Sequence, residues 1–309
     1  VKAYNASNWL SLGGMATNEQ RMDLRDKADW LPEQPVRVVA VPYRLSGNLL
    51  AAAGFDTFDG SINLNLTSVA HFWKNGVLKG VGEVGSGYID LNRAGLDWKC
   101  CTSYALDPFI DVNLLRLVNV GFILSTLPLS SQWLVKVAGP DDTALPPRAS
   151  DPLSVKLEKM AKAALMASPV FVYKIENPLP RLYAAHQIAY QTASGDTTAQ
   201  LREGLDAQQA LLREEDRQTG FQPTPDLTIQ SFSLVKDGVT AEVNAAKGGV
   251  LVANIPFLPF WTASADGIPV PLVASDGGVH MAVAVPPGAK RVELRYVRPT
   301  LMDRLKSLV

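Results

Sequence analysis

Ile255-Pro256-Phe257-Leu258-Pro259-Phe260-Trp261-Thr262-Ala263-Ser264-Ala265-Asp266-Gly267 joins the end of an apolar strand to an aromatic bend, a second strand and an Asp-Gly turn. It lies inside a run from Asp226 to Pro299 that reads as seven short strands, at 227–234, 239–245, 249–255, 260–264, 268–273, 279–285 and 290–297. Asp237-Gly238, Lys247-Gly248-Gly249, Asp266-Gly267 and Asp276-Gly277-Gly278 punctuate the run with residues that tolerate the positive φ of hairpin turns. Alternation is plain in Val292, Leu294 and Tyr296. Short strands with regular turns predict an antiparallel β-sandwich over 222–299.

Upstream the pattern changes. Val36 to Pro42 is a β-branched strand ended by proline. Thr67 to Leu78 spaces Val69, Phe72, Trp73 and Val77 as a helix does. Asp111 to Val118 reads as a short helix, followed by strands at 119–126, 133–137 and 170–175. Pro140 to Pro152 reads as a linker, Lys156 to Met166 as helical, and Leu182 to Tyr190 as one strand. Thr197 to Arg217 is expected as the strongest helix, capped by Asp196 or Thr197, striped by Leu201, Leu205, Leu211 and Leu212, and stopped by Gly220. A further helix is expected over 18–31. The predicted fold class is therefore α+β, with a mixed α/β domain at 1–150, connecting strands and helix at 151–221, the β-sandwich at 222–299, and a tail at 300–309.

Composition limits the function classes. The 309 residues carry 29 basic and 30 acidic side chains, a formal charge of −1, so no global field draws the chain to nucleic acid. With 47% hydrophobic and 19% charged residues the chain is of globular type rather than disordered. No stretch reaches the length of uninterrupted apolar sequence that a spanning helix needs, since Asn113, Arg116, Asn119 and Pro128 break the nearest one. The start, Val1-Lys2-Ala3-Tyr4-Asn5, lacks a signal-peptide pattern, and we read the chain as a fragment. Cys100 and Cys101 are adjacent, a spacing that disfavours a disulfide between them, and two free thiols are expected.

Four blocks resemble the extracytoplasmic C-terminal region of YfhO-like bacterial membrane proteins, polytopic relatives of the GT-C glycosyltransferases. The first is Gly54-Phe55-Asp56-Thr57-Phe58-Asp59-Gly60 with Phe72-Trp73 on the following helix. The second is Leu114-Leu115-Arg116-Leu117-Val118-Asn119-Val120-Gly121-Phe122-Ile123-Leu124-Ser125. The third is Val172-Tyr173-Lys174-Ile175-Glu176-Asn177-Pro178-Leu179-Pro180-Arg181-Leu182. The fourth joins Phe260 to Gly267 with Val285-Pro286-Pro287-Gly288 and Val292-Glu293-Leu294-Arg295-Tyr296. They run in order from about 54 to 299. Pro259-Phe260-Trp261 lacks the glycine usual before the tryptophan, and Ala289-Lys290 replaces the usual histidine region, two departures that bear on turn geometry.

The resemblance implies a soluble domain on the extracytoplasmic face of a bacterial cytoplasmic membrane, assisting envelope polysaccharide or glycolipid assembly and not catalytic alone. It implies as partners the membrane-embedded remainder of the same protein and a glycan or polyprenyl-linked sugar, with no nucleic acid, no cofactor and no metal. No catalytic residue is assigned. Candidate ligand-binding residues are Asp56, Asp59, Trp73 and Trp261. Asp56 and Asp59, beside Gly54 and Gly60, have the oxygen chemistry to hold a sugar hydroxyl or a hard cation, and equally the chemistry of an Asx turn. Trp261 offers a platform for a sugar ring, or buries its area in a core. His71, His186 and His280 have no second ligand at a metal-binding spacing, and core packing is the reading for Tyr183, His186 and Tyr190. Competing functions are an independent carbohydrate-binding module, a soluble glycoside-acting hydrolase using Asp56 and Asp59, and an assembly domain without a ligand.

Overall fold

Arg37-Val38-Val39-Ala40-Val41 is extended because branched side chains pack well on a pleated, buried surface. It is the first strand of a structure, a computed structural model, that describes residues 30–32, 35–41, 50–51, 54–58, 60–61, 66–79, 88–89, 104–125, 128–139, 152–158, 170–191, 197–235 and 237–297. Asp59, Cys100, Cys101, most of the expected 18–31 helix, the 140–152 linker apart from Pro152, and the 300–309 tail lie outside the described residues. The chain divides into two units, Val1–Pro178 and Leu179–Val309. The fold is mixed α+β and mostly β, with several antiparallel sheets.

In the first unit the strands are β1 (Arg37–Val41), β2 (Gly60–Ser61), β3 (Tyr88–Ile89), β4 (Tyr104–Ala105), β5 (Val120–Ser125), β6 (Leu129–Ser130), β7 (Leu134–Ala138) and β8 (Phe171–Ile175). Four of them form a sheet in the order β1-β5-β8-β7, with β1 parallel to β5 and the other pairs antiparallel. β5 is buried along its whole length, as a strand covered on both faces should be. One face packs Val38, Ala40, Phe122, Leu124 and Val172 with Leu50 and Phe55. Trp30 adds to that face, stacked 6.1 Å from Phe55 and tilted against Phe122 at 4.7 Å. The expected helix at 67–78 is present as an α-helical turn, Thr67–His71, that widens into a π-helical one over Phe72–Val77. The helix Val112–Leu117 starts at Asp111, whose carboxylate accepts from the Leu114 N–H at 3.2 Å.

The second unit holds β9 (Leu182–Ala184), β10 (Gln187–Gln191), β11 (Gln209–Arg213), β12 (Leu227–Val235), β13 (Gly238–Ala245), β14 (Gly249–Ala253), β15 (Trp261–Ala265), β16 (Ile268–Val270), β17 (Leu272–Ser275), β18 (His280–Val285) and β19 (Arg291–Tyr296). β12-β13-β19-β15-β16 is one antiparallel sheet and β17-β18-β14-β9 another. A single apolar cluster takes Leu227, Val239, Val243, Val292 and Leu294 from the first and Leu182, Leu251, Met281 and Val283 from the second. β10 and β11 pair in parallel, joined through the helix Thr197–Gly204.

Three expectations change. The helix expected over 197–217 ends at Gly204, and Ala210, Leu211 and Leu212 are buried in β11 instead. Gln208 has φ of 49°, which breaks the helical path, and parallel pairing with β10 outweighs helix propensity. The strand expected at 182–190 is two, β9 and β10, which belong to different sheets. The strand expected at 268–273 splits at Pro271, which has no N–H to donate to a ladder, and β16 and β17 lie in different sheets.

Gly238 and Gly267 both sit at turns but face different surroundings. A Cβ at Gly238 meets the Leu294 carbonyl oxygen at 2.5 Å, whereas Gly267, with φ of 82°, faces open space. We expect Gly238→Ala to destabilise the chain by about 3 kcal/mol, because backbone must move. Gly267→Ala is expected to cost about 1 kcal/mol from its left-handed backbone alone. Chemical denaturation of the two variants checks the order, and a larger loss at Gly267 would contradict it.

Candidate functional site

Two constellations of polar side chains stand out, one in each unit. In the first, the opening residue of β1 acts as a clamp. Arg37 is 5% exposed, its Nη1 donates to the Val118 carbonyl at 2.9 Å, and its backbone N–H donates to the Asn119 carbonyl at 2.8 Å. Next to it, the Val38 N–H donates to the Asp56 carbonyl at 2.8 Å, which brings the Gly54–Phe58 turn alongside β1. The Asp56 carboxylate then lies 3.9 Å from Arg37 Nε, an ion pair between a buried cation and a partly exposed anion. The guanidinium carbon sits 4.9 Å above the Phe58 ring. Phe58 in turn tilts against Trp73, with centroids 5.7 Å apart.

Asp56 and Trp73, two of the four candidate residues, are therefore joined through Arg37 and Phe58. The two differ in their exposure. Trp73 is 0% exposed and offers no face to a ligand. Asp56 is partly exposed, with its carboxylate 3.9 Å from Arg37 Nε. Arg37 itself carries no sequence signal beyond one charge at the head of a β-branched run.

The third residue that can be placed, Trp261, is half-buried against the apolar cluster of the second unit. It meets Tyr296 edge to face at 5.6 Å, and its register partner in β19 is that same Tyr296. The Asp266 carboxylate at the end of its strand accepts from the Lys290 and Arg291 N–H groups, the latter at 2.9 Å, and fastens one hairpin turn to the loop before β19.

The second constellation was not anticipated. Ser275, Asp276 and His280 are all buried, at 1%, 1% and 0% exposure. The Asp276 carboxylate accepts from the Leu211 N–H at 3.1 Å and from the Ser275 hydroxyl at 3.2 Å. Its Oδ2 lies 2.8 Å from His280 Nδ1. Asp276, Gly277 and Gly278 all have positive φ, a conformation that Asp and Gly tolerate best. Tyr183, on β9, is 3% exposed; burial first, and then the Asp276 charge, push its phenol well above the ordinary value of 10.0. The sequence signal was an Asp and a His four residues apart across a Gly-Gly turn, which reads as a plain hairpin.

Chemically, this buried cluster cross-links β11, the 276–278 turn and β18. Its Ser hydroxyl bonds the carboxylate and not the imidazole, so it lacks the order of a nucleophile relay. Among the described residues, no three His, Cys, Asp or Glu side chains gather as a metal site requires, and no helix is long and apolar enough to cross a membrane. Set against family models, curated proteins and solved structures, the chain finds no match in any of the three comparisons.

Asp276→Asn places one amide donor against a buried donor, and we expect it to cost about 3 kcal/mol. Asp266→Asn, at an exposed turn of the same sequence type, is expected to cost about 1 kcal/mol. Urea titrations compare the two, and equal losses would remove the special role of Asp276. Tyr183 supplies a pH test. Its phenol ionises near 10.0 in the unfolded chain and well above that when folded. Stability is thus complete below the unfolded value and lost as pH rises past it towards the folded one. Tyr183→Phe is expected to flatten the alkaline loss; an unchanged slope in pH-dependent melting would refute this.

Proposed function

We propose that this chain is the extracytoplasmic domain of a polytopic membrane protein related to the GT-C glycosyltransferases. In that reading it assists envelope polysaccharide or glycolipid assembly and turns over no substrate by itself. The observation that carries the proposal is that the second and third sequence blocks behind the resemblance are spatial partners, and that the two halves of the fourth pair with each other. Blocks two and three form adjacent strands, with Phe122, Ile123 and Leu124 opposite Lys174, Tyr173 and Val172. Arg116 of block two donates through Nε to the Asn177 carbonyl of block three at 3.1 Å, and through Nη1 to Asn113 at 2.6 Å. Within block four, Trp261 to Ala265 pairs residue for residue with Tyr296 to Val292.

Residues that recur as a pattern because they fold against each other define an architectural module, and the module's function comes with it only by analogy. We take the two antiparallel sheets of the second unit as the layers of a β-sandwich, supported by the apolar cluster that draws on both. The partners of the proposal are the membrane-embedded part of the same protein and a glycan or polyprenyl-linked sugar. Nothing in the charge balance favours nucleic acid. The carbohydrate-module reading is the weaker of the two, because Trp261 gives its ring to the core and to Tyr296.

The location is tested in cells carrying the complete reading frame with Cys100→Ser, Cys101→Ser and Ile268→Cys, the last an exposed position in β16. A membrane-impermeant maleimide should label it in spheroplasts without lysis, and labelling only after lysis would overturn the location. The second half of the proposal fails if the purified chain, given a polyprenyl-phosphate sugar and a glycan acceptor, releases product.

A further inference from the structure

The five-stranded sheet β12-β13-β19-β15-β16 has two unlike ends. At one of them the register sets the last residues of β12 and β19 beside the first residues of β13 and β15. Val235 is opposite Gly238, Gly238 opposite Arg295, and Tyr296 opposite Trp261. Backbone bonds close this end, from the Tyr296 N–H to the Asp237 carbonyl at 2.8 Å and from the Val297 N–H to the Phe260 carbonyl at 2.9 Å. Leu234, Val235 and Val297 lie there, 45%, 53% and 55% exposed. Phe260 and Trp261 both meet Tyr296 edge to face, and all three rings are half-buried. Single exposed apolar residues are ordinary on a surface, but a group of them beside three aromatic rings marks an interaction site. Trp and Tyr join an apolar body to a polar tip, the make-up of side chains that settle where membrane meets water. The opposite end carries the exposed Ile268 and the Asp266-Gly267 turn fastened to Lys290 and Arg291.

A second, independent observation lies in the sequence that follows Val297 directly. Residues 298–309 hold Arg298, Arg304 and Lys306 against Asp303, in a chain whose whole balance is −1. Leu301, Met302, Leu305, Leu308 and Val309 recur at i, i+1, i+4, i+7 and i+8, the spacing of one helical face. Asp303, Arg304, Lys306 and Ser307 fill the positions between them. That pattern, basic and amphipathic, is the one membrane-surface segments carry. At the sheet end itself the charges of Arg295 and Asp237 offset each other, so the positive excess comes from this segment.

We propose that this end of the five-stranded sheet, together with residues 298–309, is a docking surface for an anionic lipid membrane. Leu234, Val235 and Val297 enter the headgroup region, the aromatic group sits at its boundary, and Arg298, Arg304 and Lys306 meet the lipid phosphates. A second copy of the chain fits this surface less well, because two basic segments would be brought together. The surface deepens the location proposed above, on which it rests for a bilayer to be at hand, and adds which part of the unit faces that bilayer.

The test is flotation of the purified 309-residue chain with phosphatidylcholine vesicles containing about one-third phosphatidylglycerol. The chain is expected to float with them and to bind pure phosphatidylcholine vesicles about tenfold more weakly. Leu234→Glu with Val297→Glu, at positions already exposed, is expected to weaken binding about tenfold. Arg304→Gln with Lys306→Gln should do the same for the anionic vesicles alone, without touching the described strands. Ile268→Glu, at the opposite end of the sheet, should leave binding unchanged. No flotation of the unmodified chain, or an equal loss with Ile268→Glu, overturns the proposal. So does a chain that sediments as a dimer and becomes a monomer on Leu234→Glu with Val297→Glu, which would give the surface to a second copy. The vesicles contain neither a cell nor the membrane-embedded remainder. Failure here therefore leaves the spheroplast labelling of Ile268→Cys as it was, and the two results are told apart.

Discussion

The second unit depends on one buried carboxylate. Asp276 takes a backbone hydrogen from β11, a hydroxyl from Ser275 and a ring hydrogen from His280 on β18. A buried anion is costly unless its oxygens are fully engaged. Each of its donors therefore has its position fixed by the others. The parallel β10-β11 pair has only one neighbouring strand to support each member, and a two-stranded ladder is marginal alone. Leu211, buried in β11, gains its anchor from the Asp276 carboxylate, and the helix between the two strands packs on the same turn.

Much of this unit was legible because its determinants are local. The strands beyond residue 226 announce themselves by turn residues at close intervals, and Asp237-Gly238, Asp266-Gly267 and Asp276-Gly277-Gly278 each lie between antiparallel partners. Where sequence and structure part, a distant partner decides. Leu205, Leu211 and Leu212 have helical spacing, yet Leu211 and Leu212 are more deeply used in pairing with Ala189 and Tyr190. The strand from Ile268 onward has continuous β character, but Pro271 cannot continue a ladder and the chain changes sheet there.

The sites were less legible, for a physical reason. Asp266 and Asp276 precede glycine in the same kind of turn, and nothing nearby tells them apart. One ends exposed, fastening the loop before β19, and the other is sealed inside. The difference lies in β11, more than sixty residues earlier in the chain. Arg37 presents the same problem in the first unit: its environment is assembled from Val118, Asp56 and Phe58, each distant in sequence. Asp56 and Trp73 were singled out for chemistry they could perform if accessible. The tryptophan is buried, and the aspartate stands partly exposed beside Arg37.

The passage of the chain through Pro271 has a mechanical side. β16 closes one edge of the five-stranded sheet and β17 begins one edge of the four-stranded sheet, so a single residue links the two borders covalently. Displacing one sheet relative to the other would stretch that link. Proline, with φ already fixed, has little slack to give. The pair of sheets is thereby joined covalently at one border, and at the opposite one β12 packs against β9, with Leu227 and Leu182 in the same apolar cluster.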